Sequence, residues 1–265
     1  MTPQPTLALH ELHDGDGVPL VLLHAFPVDH RVWGPLAERL PARLRAVAVD
    51  LPGQGHSDLG GLAPDLGLAA EAVHRSLRAQ GIASAVVVGM SMGGYVALAL
   101  AERHPGFVAG LGLVDSKSTA DTPEARANRL RVAHDLESSQ TVDPVLGMPA
   151  VLLGETSLAQ RRGLLPVLEG WVRGQSPAAL AWAQRAMADR PDRTAVLERF
   201  DGPVAVVVGA EDTVTPLAEA EHMAHAAADG ALTVVPGAGH LSALEDPATV
   251  AGSLALLHRH VVHGG

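Results

Sequence analysis

Short runs of consecutive apolar residues alternate along the chain with longer stretches in which apolar positions recur at helical spacing. The short runs are rich in valine and leucine and lack polar alternation, as is typical of parallel strands buried on both faces. They predict strands at residues 19–23, 44–49, 85–88, 108–114, 203–208 and 231–235. The longer stretches predict helices at 33–40, 68–80, 92–103, 216–228 and 247–260. This alternation predicts an α/β fold: a doubly wound, mostly parallel sheet with helices on both faces.

Turn and capping signals mark the first two strands and the start of the last helix. Residues 6–12 and 18–23 flank the turn-rich stretch HDGDG, which predicts an antiparallel hairpin at the edge of the sheet. The last helix begins in the sequence EDPATV, where Asp246 is placed to cap the helix and Pro247 to occupy its first position.

Residues 116–191 interrupt the alternation. This segment has helical pieces punctuated by proline and glycine, and no convincing buried strand. It is too long for a loop without secondary structure of its own. We therefore predict an inserted helical cap, a lid above the carboxyl ends of the strands, and a core domain formed by residues 1–115 and 192–265.

Composition narrows the classes of function. The formal net charge of −10 argues against a nucleic-acid partner, because phosphate binding needs a basic surface. There is no cysteine, which excludes disulfides, thiolate metal sites and a cysteine nucleophile and favours the cytoplasm. No apolar run reaches membrane-spanning length and we identify no signal peptide, so no membrane partner is expected. The sequence gives no indication of the oligomeric state.

The sequence GMSMG at residues 89–93 follows a predicted strand and precedes a predicted helix. This is the setting of a nucleophile elbow, in which a strained turn projects the serine hydroxyl above the sheet. The turn brings the residues on either side of Ser91 close together, so Gly89 and Gly93 must lack side chains. Gly94 allows the helix to pack closely on the sheet. An ordinary glycine-lined turn is the alternative.

A serine nucleophile needs a base, and the base needs an orienting carboxylate. In doubly wound folds such groups gather at the carboxyl ends of strands. Asp212 follows the strand at 203–208 and His240 follows the strand at 231–235. Ser91, Asp212 and His240 stand in the chain order expected of a hydrolase catalytic triad. Glu211 and Asp115 are the competing carboxylates, with Asp115 the substitute for Asp212.

The negative charge of a tetrahedral intermediate requires donors that are already in position. The N–H of Met92, directly after the nucleophile, is one candidate. The second is the N–H of Phe26 in the loop after the strand at 19–23, since Pro27 cannot donate. We expect His24 to hold this loop by hydrogen bonding rather than to act as a base.

These motifs together resemble the α/β-hydrolase superfamily, from the first strand to the last helix. The matching segments are VLLHAFP, VDLPGQGHSD, VVGMSMGGYVALALAERHP, LGLVDS, VVVGAEDTVTP and VPGAGHLSALEDP. Within the superfamily the chain is most similar to small soluble esterases, 3-oxoadipate enol-lactonases and cofactor-free haloperoxidases. The resemblance implies an α/β-hydrolase fold and a carboxylesterase or lactonase that acts on a small ester-like substrate without a cofactor.

The oxyanion loop and the residue at the nucleophile elbow bear on which of the superfamily's reactions this chain catalyses. The oxyanion loop usually reads His-Gly, whereas this chain has His24-Ala25, and we expect the small alanine to be accommodated. Pro27 is similar to the haloperoxidase-type loop. Perhydrolysis and carbon–carbon bond hydrolysis use the same triad and remain alternatives, as does a signal receptor that retains the fold. A serine at the elbow disfavours dehalogenation and epoxide hydrolysis, for which the superfamily uses aspartate there.

The substrate pocket and other possible sites are less defined by the sequence. Apolar residues of the insertion that are candidates for lining the pocket are Met148, Trp171, Trp182 and Met187. Arg161 and Arg162 are candidates for pairing with a substrate carboxylate, or lie on a solvated helix face. The stretch DLPGQGHSD lacks the third glycine of a dinucleotide fingerprint. The sequences EHMAH and HRHVVH contain no complete ligand set, so we expect no metal site there, only a solvated helix and a loose tail.

Overall fold

The fold is taken from a computed structural model, which describes residues 5–264. Its sheet has seven strands in the order β1-β3-β2-β4-β5-β6-β7, and every neighbouring pair is parallel except β1 and β3. The strands are β1 Leu9–His13, β2 Asp16–Leu23, β3 Leu44–Val49, β4 Ala85–Met90, β5 Val108–Val114, β6 Val204–Gly209 and β7 Gly230–Val235. The predicted α/β class and all six predicted strands are confirmed, but β7 is an edge strand with mostly exposed residues, so its predicted burial is wrong.

The predicted hairpin is wrong in its pairing. Strand β1 lies at the sheet edge as expected, but it pairs with β3 instead of β2. Residues Leu20 to Leu23 of β2 are bonded on one side to β3 and on the other to β4. A fully apolar strand is buried best at the centre of the sheet, whereas β1, with partly exposed polar positions, suits an edge.

Helices cover both faces of the sheet. Successive residues of β2 point to opposite faces, so Val21 and Leu22 pack with helices on different sides of the sheet. The bounds are, after a 3₁₀ helix His30–Trp33: α1 Gly34–Ala37, α2 Leu66–Ala79, α3 Met92–Arg103, α4 Pro123–Ser139, α5 Asp143–Leu146, α6 Met148–Leu152, α7 Glu155–Gln160, α8 Leu164–Arg173, α9 Pro177–Ala188, α10 Thr194–Glu198, α11 Leu217–Ala226, α12 Ser242–Glu245 and α13 Pro247–His263. Across residues 5–264, no helix is both long and apolar enough to cross a membrane.

The last helix begins as predicted and ends later. The Asp246 side chain accepts a hydrogen bond from the N–H of Thr249, and Pro247 is the first helical residue. The predicted loose tail is wrong, because α13 continues to His263. A hydrogen bond of 2.8 Å between His258 Nε2 and the Val18 carbonyl oxygen joins it to the sheet. The predicted helix at 33–40 is shorter than expected and is preceded by the 3₁₀ turn.

Between β5 and β6 the chain forms seven helices, α4 to α10, and the first six of them lie within residues 116–191. Every residue of this segment is described, and none of them forms a strand, as predicted. Ion pairs of 2.6 Å join Glu137 to Arg185 and Arg126 to Asp189, linking α4 with α9 and the residue after it. The Trp182 ring N–H donates to the carbonyl oxygen of Leu62, 2.8 Å away, and so holds α9 against the core.

Candidate active site

Ser91 lies at the turn between β4 and α3 with φ of 52° and ψ of −115°. Positive φ is unfavourable for a residue with a side chain, so the surrounding structure must impose this conformation. The Ser91 N–H donates to the Val114 carbonyl oxygen, and the Ser116 hydroxyl donates to the Ser91 carbonyl oxygen, both at 2.9 Å. The strained turn predicted from GMSMG is confirmed.

The glycines around Ser91 leave no room for side chains. A Cβ added to Gly89 would overlap the backbone of Gly93, and one added to Gly93 would overlap the Leu23 carbonyl. At Gly94 it would overlap the Ser116 side chain. The requirement for glycine on both sides of the serine therefore follows from contact between backbone segments.

We expect Gly89→Ala to lower the free energy of unfolding by about 3 kcal/mol, because relief of the overlap must displace backbone. Urea unfolding measures this loss. The control is Gly170→Ala at an exposed position of α8, where an added Cβ meets no atom within 4 Å. That variant should be neutral or gain up to about 1 kcal/mol of helix propensity. Equal stability of the two variants would contradict the steric role of Gly89.

The structure brings together the three residues predicted to form a triad. His240 Nε2 lies 2.7 Å from Ser91 Oγ, and His240 Nδ1 lies 2.8 Å from Asp212 Oδ2. All three side chains are buried. Burial alone raises the pKa of the Asp212 carboxyl, but hydrogen bonding with His240, its charge and contacts with Thr215 outweigh it and lower the pKa. The carboxylate is therefore ionised at neutral pH and suited to orient the imidazole.

A buried carboxylate that sequence reasoning missed holds the histidine loop. Glu245 accepts hydrogen bonds from the N–H groups of Gly239, Leu241 and Gly154 at 2.9 to 3.2 Å. These bonds join the loop carrying His240 to the helical segment after β5. The only sequence signal is an acidic residue shortly after His240, which does not reveal the partners.

The two competing carboxylates lie elsewhere. Glu211 points away from the histidine and accepts hydrogen bonds from the N–H and hydroxyl of Thr156. Asp115, fully buried at the end of β5, accepts from the N–H groups of Gly209 and Ser242 at 2.9 and 2.8 Å. Of the three carboxylates, Asp212 is therefore the one that hydrogen-bonds with the imidazole, while Asp115 joins the end of β6 to the histidine loop.

Burial and the nearby charge of Asp212 raise the pKa of the Asp115 carboxyl to about 7. A carboxyl with a raised pKa in the folded state contributes stability that is complete below its unfolded pKa, near 4, and is lost as pH rises through about 7. We expect the melting temperature of the wild type, relative to Asp115→Asn, to fall between about pH 4 and 7. Calorimetry of both proteins measures this difference. A difference that rises with pH would contradict the raised pKa.

The two backbone donors predicted to form an oxyanion hole belong to Met92, directly after the serine, and to Phe26, in the loop after β2. Among the described residues no hydrogen-bond acceptor is found for the N–H of Phe26 or of Met92. Met92 is the first residue of α3, where an N–H has no partner within the helix. The loop carrying Phe26 is held by buried His24, whose ring nitrogens lie 2.9 Å from the Ala25 carbonyl oxygen and the Leu51 nitrogen.

Ala25 fits the position where the resembled family has glycine. Among the described residues with a side chain, positive φ occurs at Ser91, Asp115 and Gln140, so Ala25 is under no such strain. Burial lowers the pKa of His24, which keeps the imidazole neutral and able to accept the Leu51 N–H. His24 thus holds the loop, as predicted.

The four residues proposed to line a pocket occupy different surroundings. Trp182 and Met187 are buried, and the Met187 sulfur accepts from Arg129 at 3.4 Å. Met148 is half-buried between the two sides of the core. Half-buried Trp171 faces the Arg31 guanidinium, 5.2 Å from its ring centre. The structure thus does not bring the four together as one wall. Arg161 and Arg162 are exposed.

Comparisons with known proteins identify the family and similar proteins. A family model described as an alpha/beta hydrolase family matches residues 20–253. A pimeloyl-[acyl-carrier protein] methyl ester esterase of Neisseria meningitidis serogroup B is 32% identical over 253 residues, covering 92% of both chains. A protein of the same name from Aromatoleum aromaticum is 34% identical over 258 residues, covering 92% of this chain and 98% of the relative.

Among solved structures, the chain is similar to a thermophilic esterase from Thermogutta terrifontis with malate bound. The two share 31% sequence identity with a TM-score of 0.91, over 96% of this chain and 93% of the esterase.

Proposed function

The chain belongs to the alpha/beta hydrolase family and is an ester-bond hydrolase, and we propose that it cleaves a small carboxylic ester or lactone through Ser91, His240 and Asp212. The superfamily predicted from the sequence motifs is confirmed by the family model. The observation that carries the proposal is the continuous hydrogen-bonded chain from the Ser91 hydroxyl through His240 to Asp212, at 2.7 and 2.8 Å.

In the proposed first step, His240 Nε2 takes the proton from the Ser91 hydroxyl as its oxygen attacks the ester carbonyl carbon. Asp212 holds the imidazole in the tautomer with Nδ1 protonated and stabilises the imidazolium that forms. The N–H groups of Phe26 and Met92 donate to the developing oxyanion. Met92 adds the positive end of the α3 dipole, which favours negative charge at that position.

Collapse of the tetrahedral intermediate expels the alcohol, which takes the proton from His240 and leaves an acyl-enzyme on Ser91. Water then attacks this ester, with His240 acting again as base. The carboxylic acid leaves and the serine is regenerated. No metal or cofactor enters this sequence of steps. For a lactone, the alcohol stays tethered to the acyl group.

We propose that residues 116–191 act as the cap over this site. The hydrogen bonds from Gly154 to Glu245 and from His240 to the Leu152 carbonyl oxygen support this role, since they join the segment to the catalytic loop. Half-buried Met148, the first residue of α6, and Trp171 on α8 are the members of the predicted lining set with side chains left partly open, which suits an apolar acyl group.

A methyl ester is the second candidate substrate. The curated relatives at 32 to 34% identity are named for a methyl ester carried on an acyl-carrier protein. In this chain, the exposed side chains of Arg161 and Arg162 at the end of α7 are suited to the carboxylate of a free half-ester.

Hydrolysis of p-nitrophenyl esters from acetate to dodecanoate, of simple lactones and of a dicarboxylic acid monomethyl ester tests the proposal. Many turnovers per enzyme on at least one of these classes, lost in Ser91→Ala, would support it, and the preferred chain length would size the pocket. Absence of turnover on all of them, in folded protein, would overturn the proposed substrate class.

A further inference from the structure

Three histidines from distant parts of the sequence surround the buried carboxylate of Asp50. His10 lies on edge strand β1, His30 begins the 3₁₀ helix, and Asp50 directly follows β3. His10 Nε2 and His30 Nδ1 each lie 2.8 Å from a different oxygen of Asp50. The two imidazoles stack with centroids 3.5 Å apart, and exposed His56 is the third ring, 5.3 and 5.6 Å from them.

We propose that His10, His30 and Asp50, with His56 as a fourth ligand, form a site for a divalent transition-metal ion of the zinc type. Each of the first three offers a ligand atom, and these atoms lie within 4.8 Å of one another. Two or three imidazoles and one carboxylate match the ligand preference and coordination number of Zn²⁺. The site is separate from the triad and does not depend on the proposed reaction.

The surroundings of the cluster favour binding. Asp50 is held in place by the N–H groups of His30 and His56, each 2.9 Å from a carboxylate oxygen. Within residues 5–264, no hydrogen bond involves the second ring nitrogen of His10 or His30. The side chains of these two histidines are 21% and 15% exposed, which leaves a path for the ion from solvent. The metal-ligand atoms are already close together, so few side chains need to become ordered when the ion binds.

Binding requires a small local rearrangement. Ligand atoms around tetrahedral zinc are about 3.3 Å apart for bonds of about 2.0 to 2.1 Å. The two nitrogens must therefore move about half an ångström away from the carboxylate oxygens, and the rings must turn out of their stack. A neutral imidazole that gives up the nitrogen now bonded to Asp50 transfers its single proton to the other nitrogen, so its charge does not change.

An occupied site would stabilise the folded chain at a defined place. The ion would join β1 to the end of β3 and to the segment after the oxyanion loop, which the structure otherwise holds together by hydrogen bonds. Because the unfolded chain cannot assemble these ligands, binding raises the melting temperature in proportion to the logarithm of the ion concentration.

Calorimetric titration of EDTA-treated, dialysed protein with ZnCl₂ at pH 7.5 tests the site, alongside melting with and without the ion. We expect one ion per chain and a melting temperature about 5 °C higher at 100-fold excess over the dissociation constant. His10→Gln and His30→Asn place an amide N–H where Nε2 and Nδ1 now lie, so they retain the hydrogen bonds to Asp50 but remove the imidazole ligands.

Each of these variants should weaken binding at least tenfold, and the double variant should abolish it while its metal-free melting temperature stays near that of the wild type. His56→Ala, at an exposed position, should weaken binding less. The control is His74→Gln with His104→Gln, a second stacked pair with centroids 3.7 Å apart, which should bind like the wild type. Absence of zinc binding by the folded wild type, or full binding by His10→Gln/His30→Asn, would overturn the proposal.

Discussion

Ser91→Ala is expected to lower kcat for p-nitrophenyl ester hydrolysis on the order of 10⁶-fold, close to the loss from removing the whole triad. The reason is that no other hydroxyl replaces the one bonded to His240 Nε2 at 2.7 Å, so the acyl-enzyme cannot form. The fold should persist, because the substitution removes one oxygen and alanine retains the Ser91 backbone bonds to Val114 and Ser116. Initial rates under saturating ester, with circular dichroism of each protein, measure both outcomes.

The matched control is Ser118→Ala. Ser118 is also buried, but its hydroxyl pairs with Thr194 at 2.9 Å rather than with a histidine. Its loss should change kcat less than about tenfold, the scale of a single structural hydrogen bond. A folded Ser91→Ala protein that retains more than a tenth of the wild-type kcat would contradict the assignment of the nucleophile.

Asp212→Asn is expected to lower kcat by roughly 10⁴-fold. The amide that replaces the carboxylate presents an N–H to His240 Nδ1, which forces the imidazole proton onto Nε2. In that tautomer Nε2 cannot accept the proton of Ser91. The variant also loses the negative charge that stabilises the imidazolium. Thr215 and Val214 can still donate to the remaining amide oxygen, so the loop is expected to stay folded.

Glu211→Gln is the control for Asp212→Asn, because it removes the adjacent negative charge while leaving the triad intact. Glu211 bonds to Thr156, away from the histidine, and its loss should change kcat only severalfold. Rates measured on the same ester across pH 6 to 9 compare the two. Equal losses in the two variants would show that charge near the site, and not orientation of His240, accounts for the effect.

The sequence was informative about the proposed catalytic residues because parallel strands end at a common edge. Ser91 and Asp212 follow the buried strands β4 and β6 closely, and His240 lies in the loop after edge strand β7. Their convergence therefore depended on the fold class and not on details of packing. The glycine requirement at 89 and 93 was equally local, since it follows from the short turn that the chain must make between strand and helix.

Other features depend on tertiary packing that sequence spacing does not encode. The hairpin expectation failed because β2 is bonded to two parallel neighbours, which left β1 to pair with β3. Glu245 acquires its role from the N–H groups of Gly154, far away in the chain, as well as from adjacent ones. The expectation of a loose histidine tail also failed because of tertiary packing, since α13 packs against the sheet along its length.

The histidine cluster at Asp50 shows most clearly what the sequence alone could not predict. His10, His30 and Asp50 stand far apart in sequence and match no metal-ligand spacing, so no pattern in the chain indicated a site. Their convergence follows from the pairing of β1 with β3, the feature that the hairpin signal predicted wrongly. The pocket lining was hard to predict for a related reason. The sequence alone did not distinguish a pocket position from a core position for Trp182 and Met187, whose partners come from other parts of the chain.

The most direct test of the proposed mechanism is to identify the residue that a fluorophosphonate modifies. The protein is treated with the reagent, its loss of ester hydrolysis is followed, and the adduct is located by peptide mass spectrometry. We expect inactivation with one adduct per chain, on Ser91, and much slower labelling of His240→Gln. An adduct on another serine that parallels inactivation, or an active ester hydrolase unmodified at Ser91 after full treatment, would contradict Ser91 as the nucleophile.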